Sequence, residues 1–280
     1  MQTIKFLAVF ALCLKGFLGL SQDGLEGIIV EKFYISNQAD NAGHLFSGDL
    51  VPGSTTYRVY VDLKPGYRFQ AAYGTLTHPL IIQSTEKFFN HIEAGNVQAN
   101  IIPERTLEKN VSLLDSWLSV GACGERHLGI LKEFDDTISD KYIRFEKGYF
   151  QSKKKIIPLY KKDGMKRAEF IPFPTFYQMD SLAYVFGSST LSNRLKLNNS
   201  AWACLGKGSV GADSLTTNCV LIGQFTTKGD LSFELNLLIG APNGTSQKYV
   251  AKNPVTEEGE WSHPDLIFNS NIKRKKSKKK

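Results

Sequence analysis

An alternation of apolar and polar residues with a period of two is the feature that most constrains how this chain can fold. Residues 56–63 place four apolar side chains on one face of an extended strand: Tyr57, Val59, Val61 and Leu63. The opposite face carries Arg58, Tyr60 and Asp62. The turn residues Lys64-Pro65-Gly66 follow, and residues 67–73 alternate again. This pattern is typical of half-buried strands and predicts a β-hairpin.

The same organisation recurs at residues 219–239, where the turn Lys228-Gly229-Asp230 separates two further apolar runs. The second run has an apolar face made of Leu231, Phe233, Leu235, Leu237 and Ile239. Its other face carries Ser232, Glu234 and Asn236, so we expect a second hairpin. Further strands are expected at 27–35, 79–84 and 113–121. Residues 85–94 fit either a short helix capped by Ser84 or another strand.

Several short strands between Gly, Pro and Asn turns favour antiparallel sheets over a parallel α/β sheet. We therefore expect an all-β, mainly antiparallel fold: a β-sandwich with a long irregular insertion and few short helices. The chain has 280 residues, of which 42% are hydrophobic, and this composition excludes a disordered protein. The length allows one large β domain or two small ones.

The N-terminus has the pattern of a secretory signal, since a basic start at Lys5 precedes an uncharged apolar run at 6–14. The longest uncharged run is about half of the ~20 residues that a membrane span needs, so we expect no retained anchor. The predicted organisation is a signal peptide at 1–22, a single β-sandwich domain at 23–260 with an insertion at about 135–174, and a basic disordered tail at 261–280. A linker between two domains is the alternative for the insertion. The predicted location is secreted or cell surface.

The net charge of +7 is concentrated in two segments. Residues 273–280 contain seven basic residues, and residues 141–170 contain ten basic against three acidic ones. The rest of the mature chain, 23–140 and 171–272, has 15 basic and 24 acidic residues. Such basic elements would hold an anionic polysaccharide or envelope component by counterion release, whereas solvated lysine runs are the simpler interpretation. The candidate basic residues are Lys153, Lys154, Lys155, Lys161, Lys162, Lys166, Arg167, Lys273, Arg274, Lys275 and Lys276.

Export also permits a disulfide bond. Cys204 and Cys219 flank a glycine-rich loop at 206–211, and we expect them to form a bridge that stabilises the protein by ~3 kcal/mol. Two buried thiols that never pair are the alternative. Cys123 is left over, and we expect a small apolar core residue rather than a nucleophile.

Enzyme and metal signatures are weak in this sequence. The loop at 206–211 fits G-x-G-x-x-G, but a strand is expected after it where a dinucleotide site needs a helix. The five histidines show no metal-ligand spacing. Ca²⁺ is the one cation for which ligands can be suggested, although a solvated acidic loop is the favoured interpretation of these residues: Glu133, Asp135, Asp136 and Asp140. We therefore expect no cofactor and no sequence-specific nucleic-acid binding.

Several sequence blocks resemble a module of secreted proteins from Bacteroidota and, more distantly, other environmental bacteria. The blocks are 26–34 (EGIIVEKFY), 53–63 (GSTTYRVYVDL), 72–74 (AYG), 114–121 (LDSWLSVG) and 220–236 (VLIGQFTTKGDLSFELN). They come from both β-rich parts and lie within residues 25–253, which favours one domain with an insertion. The resemblance implies a secreted β-rich protein and no particular chemistry.

Trp117 and Trp202 lie in regions shared with that module, and we expect them in the core. Tyr60 and Trp261 are the aromatic residues expected to be exposed and available for binding. The predicted function is a non-catalytic secreted or cell-surface β-sandwich protein that binds an extracellular polymer or an envelope partner. A carbohydrate-active enzyme with a site in strand-end loops is the alternative.

Overall fold

The computed structural model describes residues 23–41, 50–107, 110–132, 142–145, 149–152, 163–180, 182–187 and 192–271. Nineteen strands lie in this part of the chain: β1 Leu25–Ile35, β2 Thr55–Leu63, β3 Arg68–Gly74, β4 Leu80–Ser84, β5 Trp117–Leu118, β6 Ala122–Gly124, β7 His127–Gly129, β8 Tyr142–Phe145, β9 Tyr149–Ser152, β10 Met165–Arg167, β11 Thr175–Tyr177, β12 Arg194–Leu197, β13 Ser200–Ala203, β14 Asn218–Thr227, β15 Leu231–Glu234, β16 Leu237–Gly240, β17 Ser246–Tyr249, β18 Glu260–Trp261 and β19 Ile267–Asn269. Two short α-helices accompany them, α1 Asn110–Leu113 and α2 Leu182–Phe186. Neither helix has the length and apolar composition needed to cross a membrane.

The strands form four sheets, and most of their pairings are antiparallel. The large sheet has the order β5-β14-β2-β1-β9-β8, the second sheet β11-β13-β3-β16-β17-β18, the third β12-β4-β15-β19 and the small sheet β10-β7-β6. Only β1 with β9 and β17 with β18 pair in parallel among the named strands of the described residues. The prediction of an all-β, mainly antiparallel fold is confirmed.

Two apolar cores cover opposite faces of the large sheet. The sandwich core lies between this sheet and the second and third sheets, and its members include Val59, Val61, Phe69, Phe233 and Trp202. The back core lies behind the large sheet and includes Tyr60, Trp117 and Leu221. Central strands of the large sheet are therefore buried on both faces.

The predicted facing of the first alternating run is confirmed on one side only. Its apolar residues enter the sandwich core, as expected: Tyr57, Val59, Val61 and Leu63. On the other side Arg58 and Tyr60 are fully buried instead of facing solvent. The reason is the second layer of residues behind the large sheet, which the period-two pattern does not reveal.

Both predicted hairpins are wrong in their pairing. Strand β2 pairs with β1 and β14, while β3 pairs with β13 and β16, so the turn at 64–67 carries the chain from one sheet to another. Likewise β14 lies in the large sheet, whereas β15 pairs with β4 and β19 in the third sheet. Each turn arches over the sandwich core and does not join two neighbouring strands.

The run 231–239 is also divided between two sheets, β15 in the third and β16 in the second. Its five apolar residues are all at most 2% exposed, as the alternation predicted. Asn236, expected on the polar face, is buried at the break between the strands. Its amide nitrogen donates to the carbonyls of Tyr73 and His78, and its amide oxygen accepts from the Ala251 N–H group. These bonds satisfy backbone groups left unpaired where the chain changes sheets.

The predicted irregular insertion contains regular structure. Strands β8 and β9 pair with each other, and β9 extends the large sheet beside β1. Strand β10 pairs with β7 in the small sheet. Strands of three or four residues offer too few positions for an alternation to be recognised. Residues 85–94 form neither of the expected elements, but turns with one isolated bridge from Phe88 to Thr227.

Candidate functional site

A row of polar side chains crosses the back face of the large sheet. Glu31, Arg58 and Gln224 occupy directly opposite positions on β1, β2 and β14. The Arg58 guanidinium donates from Nε to Gln224 Oε1 at 2.8 Å and from Nη1 to the Gly164 carbonyl at 2.9 Å. Its Cζ atom lies 3.7 Å from the centre of the Phe33 ring, which provides a cation–π contact.

Lys132 and Asp163 complete a buried charge cluster with Glu31 and Arg58, and all four residues are at most 3% exposed. Lys132 Nζ lies 3.1 Å from Asp163 Oδ2 and 4.3 Å from the centre of the Phe33 ring. Burial lowers the pKa of Lys132, and the negative charges of Asp163 and Glu31 oppose this change. The cluster contains two positive and two negative groups, so a charge removed from one member leaves an unbalanced charge inside the protein.

The cluster holds the backbone on either side of residues 133–162. The Lys132 N–H group donates to Glu31 Oε1 at 2.8 Å, and the Ile130 N–H group donates to the Gly164 carbonyl at 3.0 Å. Gly164 has φ of 61°, and a Cβ there would lie 2.7 Å from Arg58 Nη1, so only glycine fits. These contacts fix residues 129–132 and 163–165 against the large sheet.

A cleft of about 200 Å³ opens beside this fixed backbone. Its walls come from three separate parts of the chain: Gly129, Ile130, Leu131, Lys166, Ala212, Asp213, Thr216, Thr217 and Cys219. The Lys166 ammonium donates to the Ala212 carbonyl at 3.2 Å and so joins two of these walls. The Cys219 thiol donates to Asp62 Oδ1 at 3.3 Å.

Three exposed aromatic side chains follow the cleft lysine along the chain, and an exposed leucine lies on the neighbouring segment. We call these four residues the aromatic rim: Phe170, Phe173, Tyr177 and Leu205. These side chains are 78%, 64%, 61% and 71% exposed, respectively. Residues 166–177 and 203–217 lie side by side, because Thr175 pairs with Ala203 and Lys166 contacts Ala212. The rim and part of the cleft are therefore carried by the same two neighbouring segments of the chain.

The rim was not predicted as a site from the sequence. A local sequence signal for exposed aromatic residues does exist, since residues 170–177 contain four aromatic residues and two prolines. Proline lacks the N–H group that a strand interior needs, so aromatic residues beside it cannot all enter a regular sheet. The cleft has no such local signal, because its lining residues are distant in sequence.

Two of the predicted basic residues lie in the segment that carries the rim. Lys166 lines the cleft, and Arg167 is 64% exposed with Nη1 3.9 Å from Glu104 Oε1. The other predicted basic residues lie outside the described part of the chain: Lys153, Lys154, Lys155, Lys161, Lys162, Lys273, Arg274, Lys275 and Lys276. The signal peptide at 1–22 lies outside it as well.

The two aromatic residues predicted to be exposed are placed differently. Tyr60 is completely buried in the back core, and its hydroxyl donates to the Ile130 carbonyl at 2.9 Å. Trp261 packs against the sandwich core, with its ring centre 6.4 Å from that of Tyr249. Both side chains therefore stabilise the fold. Trp117 and Trp202 are 2% and 0% exposed, which confirms their prediction as core residues.

The structure contradicts the predicted disulfide bond, because Cys204 and Cys219 are not joined to each other. Cys204 packs against the sandwich core, and Cys219 packs against the back core. The large sheet thus lies between the two cores that these side chains contact. A short sequence separation does not bring two thiols together when their side chains point to opposite faces.

The remaining catalytic and metal candidates have structural explanations or lie elsewhere. Cys123 is buried, and burial raises the pKa of its thiol to about 11, which disfavours the nucleophilic thiolate. In the glycine-rich loop, a Cβ at Gly208 would lie 2.7 Å from the Phe69 carbonyl, so close backbone packing explains this glycine. The described residues contain no cluster of three potential metal ligands, and the suggested Ca²⁺ ligands at 133–140 lie outside them.

Asp115 is a buried carboxyl group that closes the loop at 91–96. Its Oδ1 accepts from the His91 N–H group and its Oδ2 from the Asn96 N–H group, both at 2.8 Å. Burial raises the pKa of Asp115 to about 8, although its hydrogen bonds from backbone N–H groups, including that of Ser116, favour ionisation. The carboxyl group therefore carries a proton over much of the neutral range.

Because of Asp115, we expect the free energy of unfolding to decrease as the pH rises. The unfolded chain releases this proton near pH 4 and the folded protein near pH 8, so the folded state binds more protons between these values. The free energy of unfolding should therefore fall over this window and level off above it. Urea unfolding of the wild type and Asp115→Asn across the window measures this difference. Parallel pH profiles for the two proteins would contradict it.

Comparisons of the chain with protein-family models, with curated proteins and with solved structures find no match. The resemblance to the secreted module of Bacteroidota stays a prediction from the sequence blocks.

Proposed function

We propose that this chain is a non-catalytic secreted or cell-surface protein that binds an anionic polysaccharide through the aromatic rim, Lys166 and Arg167. The observation that carries the proposal is the concentration of exposed aromatic side chains. Among the side chains that the structure describes, four aromatic ones are exposed, and three of them lie within residues 170–177. Grouped exposed apolar side chains mark interaction sites more often than scattered ones do.

Aromatic rings and basic groups together suit a polymer of charged sugars. The apolar C–H faces of sugar rings leave water when they pack on aromatic rings, and this burial is favourable. Lys166 and Arg167 precede the rim by only a few residues and attract carboxylate or sulfate groups. The exposed Lys207 lies within the glycine-rich loop, and the exposed Arg68 lies beside Gly208 of the same loop, so both add positive charge there.

The test is affinity for polygalacturonate, alginate and heparin, with dextran as the uncharged control polymer. Phe173→Ala and Tyr177→Ala should each weaken polyanion binding about tenfold, the effect of ~1.4 kcal/mol. Tyr184→Ala is the matched control, because Tyr184 is 55% exposed but lies outside the rim. All three variants should melt at the wild-type temperature. Affinities that are unchanged in both rim variants would overturn the proposal.

A carbohydrate-active enzyme is the second candidate, since two carboxylates are associated with the cleft. Asp213 lines it, and Asp62 accepts a hydrogen bond from the Cys219 thiol in its wall. Glycoside hydrolysis uses two such groups on either side of the bond that breaks. Release of new reducing ends from the same polymers, lost in Asp213→Asn, would establish catalysis in place of simple binding.

A further inference from the structure

We infer that the cleft holds a single carboxylated sugar unit, with the ammonium group of Lys166 as the partner of its carboxylate. This inference rests on the proposed function and names the ligand of one part of the same surface. The rim would contact neighbouring units of the polymer, while the cleft selects the charged unit.

The size of the cleft favours one sugar ring. Its volume of about 200 Å³ is below the roughly 300–1,000 Å³ of pockets that hold drug-sized ligands. Only one unit of a longer oligosaccharide therefore fits in the cleft, and its other units lie outside. Phe170 follows Lys166 by four positions, and an extended chain of that length spans at most about 14 Å. A polymer of a few sugar units can thus contact both the cleft and Phe170 of the rim.

The polar groups of the cleft match a sugar acid. An ammonium group has three N–H donors, and Lys166 uses one of them on the Ala212 carbonyl. The others are available for a carboxylate. Asp213, Thr216 and Thr217 line the same space and provide acceptors and donors for ring hydroxyl groups. The N–H groups of both threonines donate to the Asp213 carbonyl, at 3.2 and 2.8 Å, and hold this turn in place.

The opposite wall is fixed before any ligand arrives. The Ile130 carbonyl accepts from the Tyr60 hydroxyl, and the Ile130 N–H group is bonded to Gly164, which Arg58 contacts from behind. The buried charge cluster therefore supports the cleft through its backbone. A wall that needs no ordering on binding costs little conformational entropy, which is an advantage for a ligand as small as one sugar.

The test is a titration of the full chain with galacturonic acid and with galactose, followed by amide chemical shifts. Galacturonic acid should shift the amides of Gly129, Leu131, Thr216 and Thr217 and should bind about tenfold more tightly than galactose, a difference of ~1.4 kcal/mol. Lys166→Gln should abolish this preference, and Lys166→Arg should retain most of it. Lys196→Gln is the matched control, because Lys196 is exposed on β12 of the third sheet and does not line the cleft.

Equal responses to the two sugars, shifts confined to other parts of the protein or no saturable shift would each overturn the inference. These results are distinguishable from failure of the proposed function. Polyanion binding that depends on Phe173 and Tyr177, without any response of the cleft amides, would leave the proposed function intact while excluding the cleft. Loss of polyanion binding together with the absence of any response of the cleft amides would exclude both the proposed function and the inference about the cleft.

Discussion

Asp163→Asn should lower the free energy of unfolding by about 3–5 kcal/mol, the usual cost of removing one partner from a buried ion pair. The variant keeps the size of the side chain but removes the negative charge 3.1 Å from Lys132 Nζ. Lys132 is completely buried, so water cannot replace the lost carboxylate as a partner of its positive charge. Urea unfolding at neutral pH measures the change.

A double variant and a surface pair make this prediction specific. Lys132→Met combined with Asp163→Leu removes both charges, and we expect it to recover most of the stability, because a buried ion pair is often replaceable by apolar groups. The exposed pair Lys252–Glu234, at 2.6 Å, is the matched control. Lys252→Met should cost at most about 1 kcal/mol, since water screens surface charges. Similar losses at Asp163 and Lys252 would show that burial of the pair has no energetic consequence.

Phe233→Ala should also lower the free energy of unfolding by about 3–5 kcal/mol, the range for truncating a buried aromatic side chain. Phe233 is 2% exposed in the sandwich core, and its ring stacks on Phe268 with 5.1 Å between centres. β15 is hydrogen-bonded to β4 on one side and β19 on the other, so its backbone cannot readily move to fill the cavity. Thermal and urea unfolding both measure the loss.

The neighbouring residue provides the control for this strand. Ser232 lies on the opposite, partly exposed face of β15, and Ser232→Ala should change the free energy of unfolding by no more than about 0.5 kcal/mol. If the two substitutions had equal effects, the facing of β15 would be wrong.

The candidate site was predictable only where a single segment carries it. The basic character and exposure of Lys166 and Arg167 follow from local composition, and the structure places both at the surface. The cleft was not predictable, because it joins residues 129–131, 166 and 212–219. Tyr60 illustrates the same limit: its position on the polar side of β2 indicated exposure, but residues from elsewhere in the chain form the back core around it.

The sequence by itself determined which side chains of a strand face the sandwich core. Successive side chains point to opposite faces, so the apolar sets at 57–63 and 231–239 specify their own burial without knowledge of any neighbour. Only the tertiary structure decided which strands pair, which sheet is covered on both faces and whether Cys204 and Cys219 form a bond. The turns at 64–67 and 228–230 fit a hairpin or an arch equally well. The choice depends on packing between residues far apart in sequence, and a period of two contains no information about it.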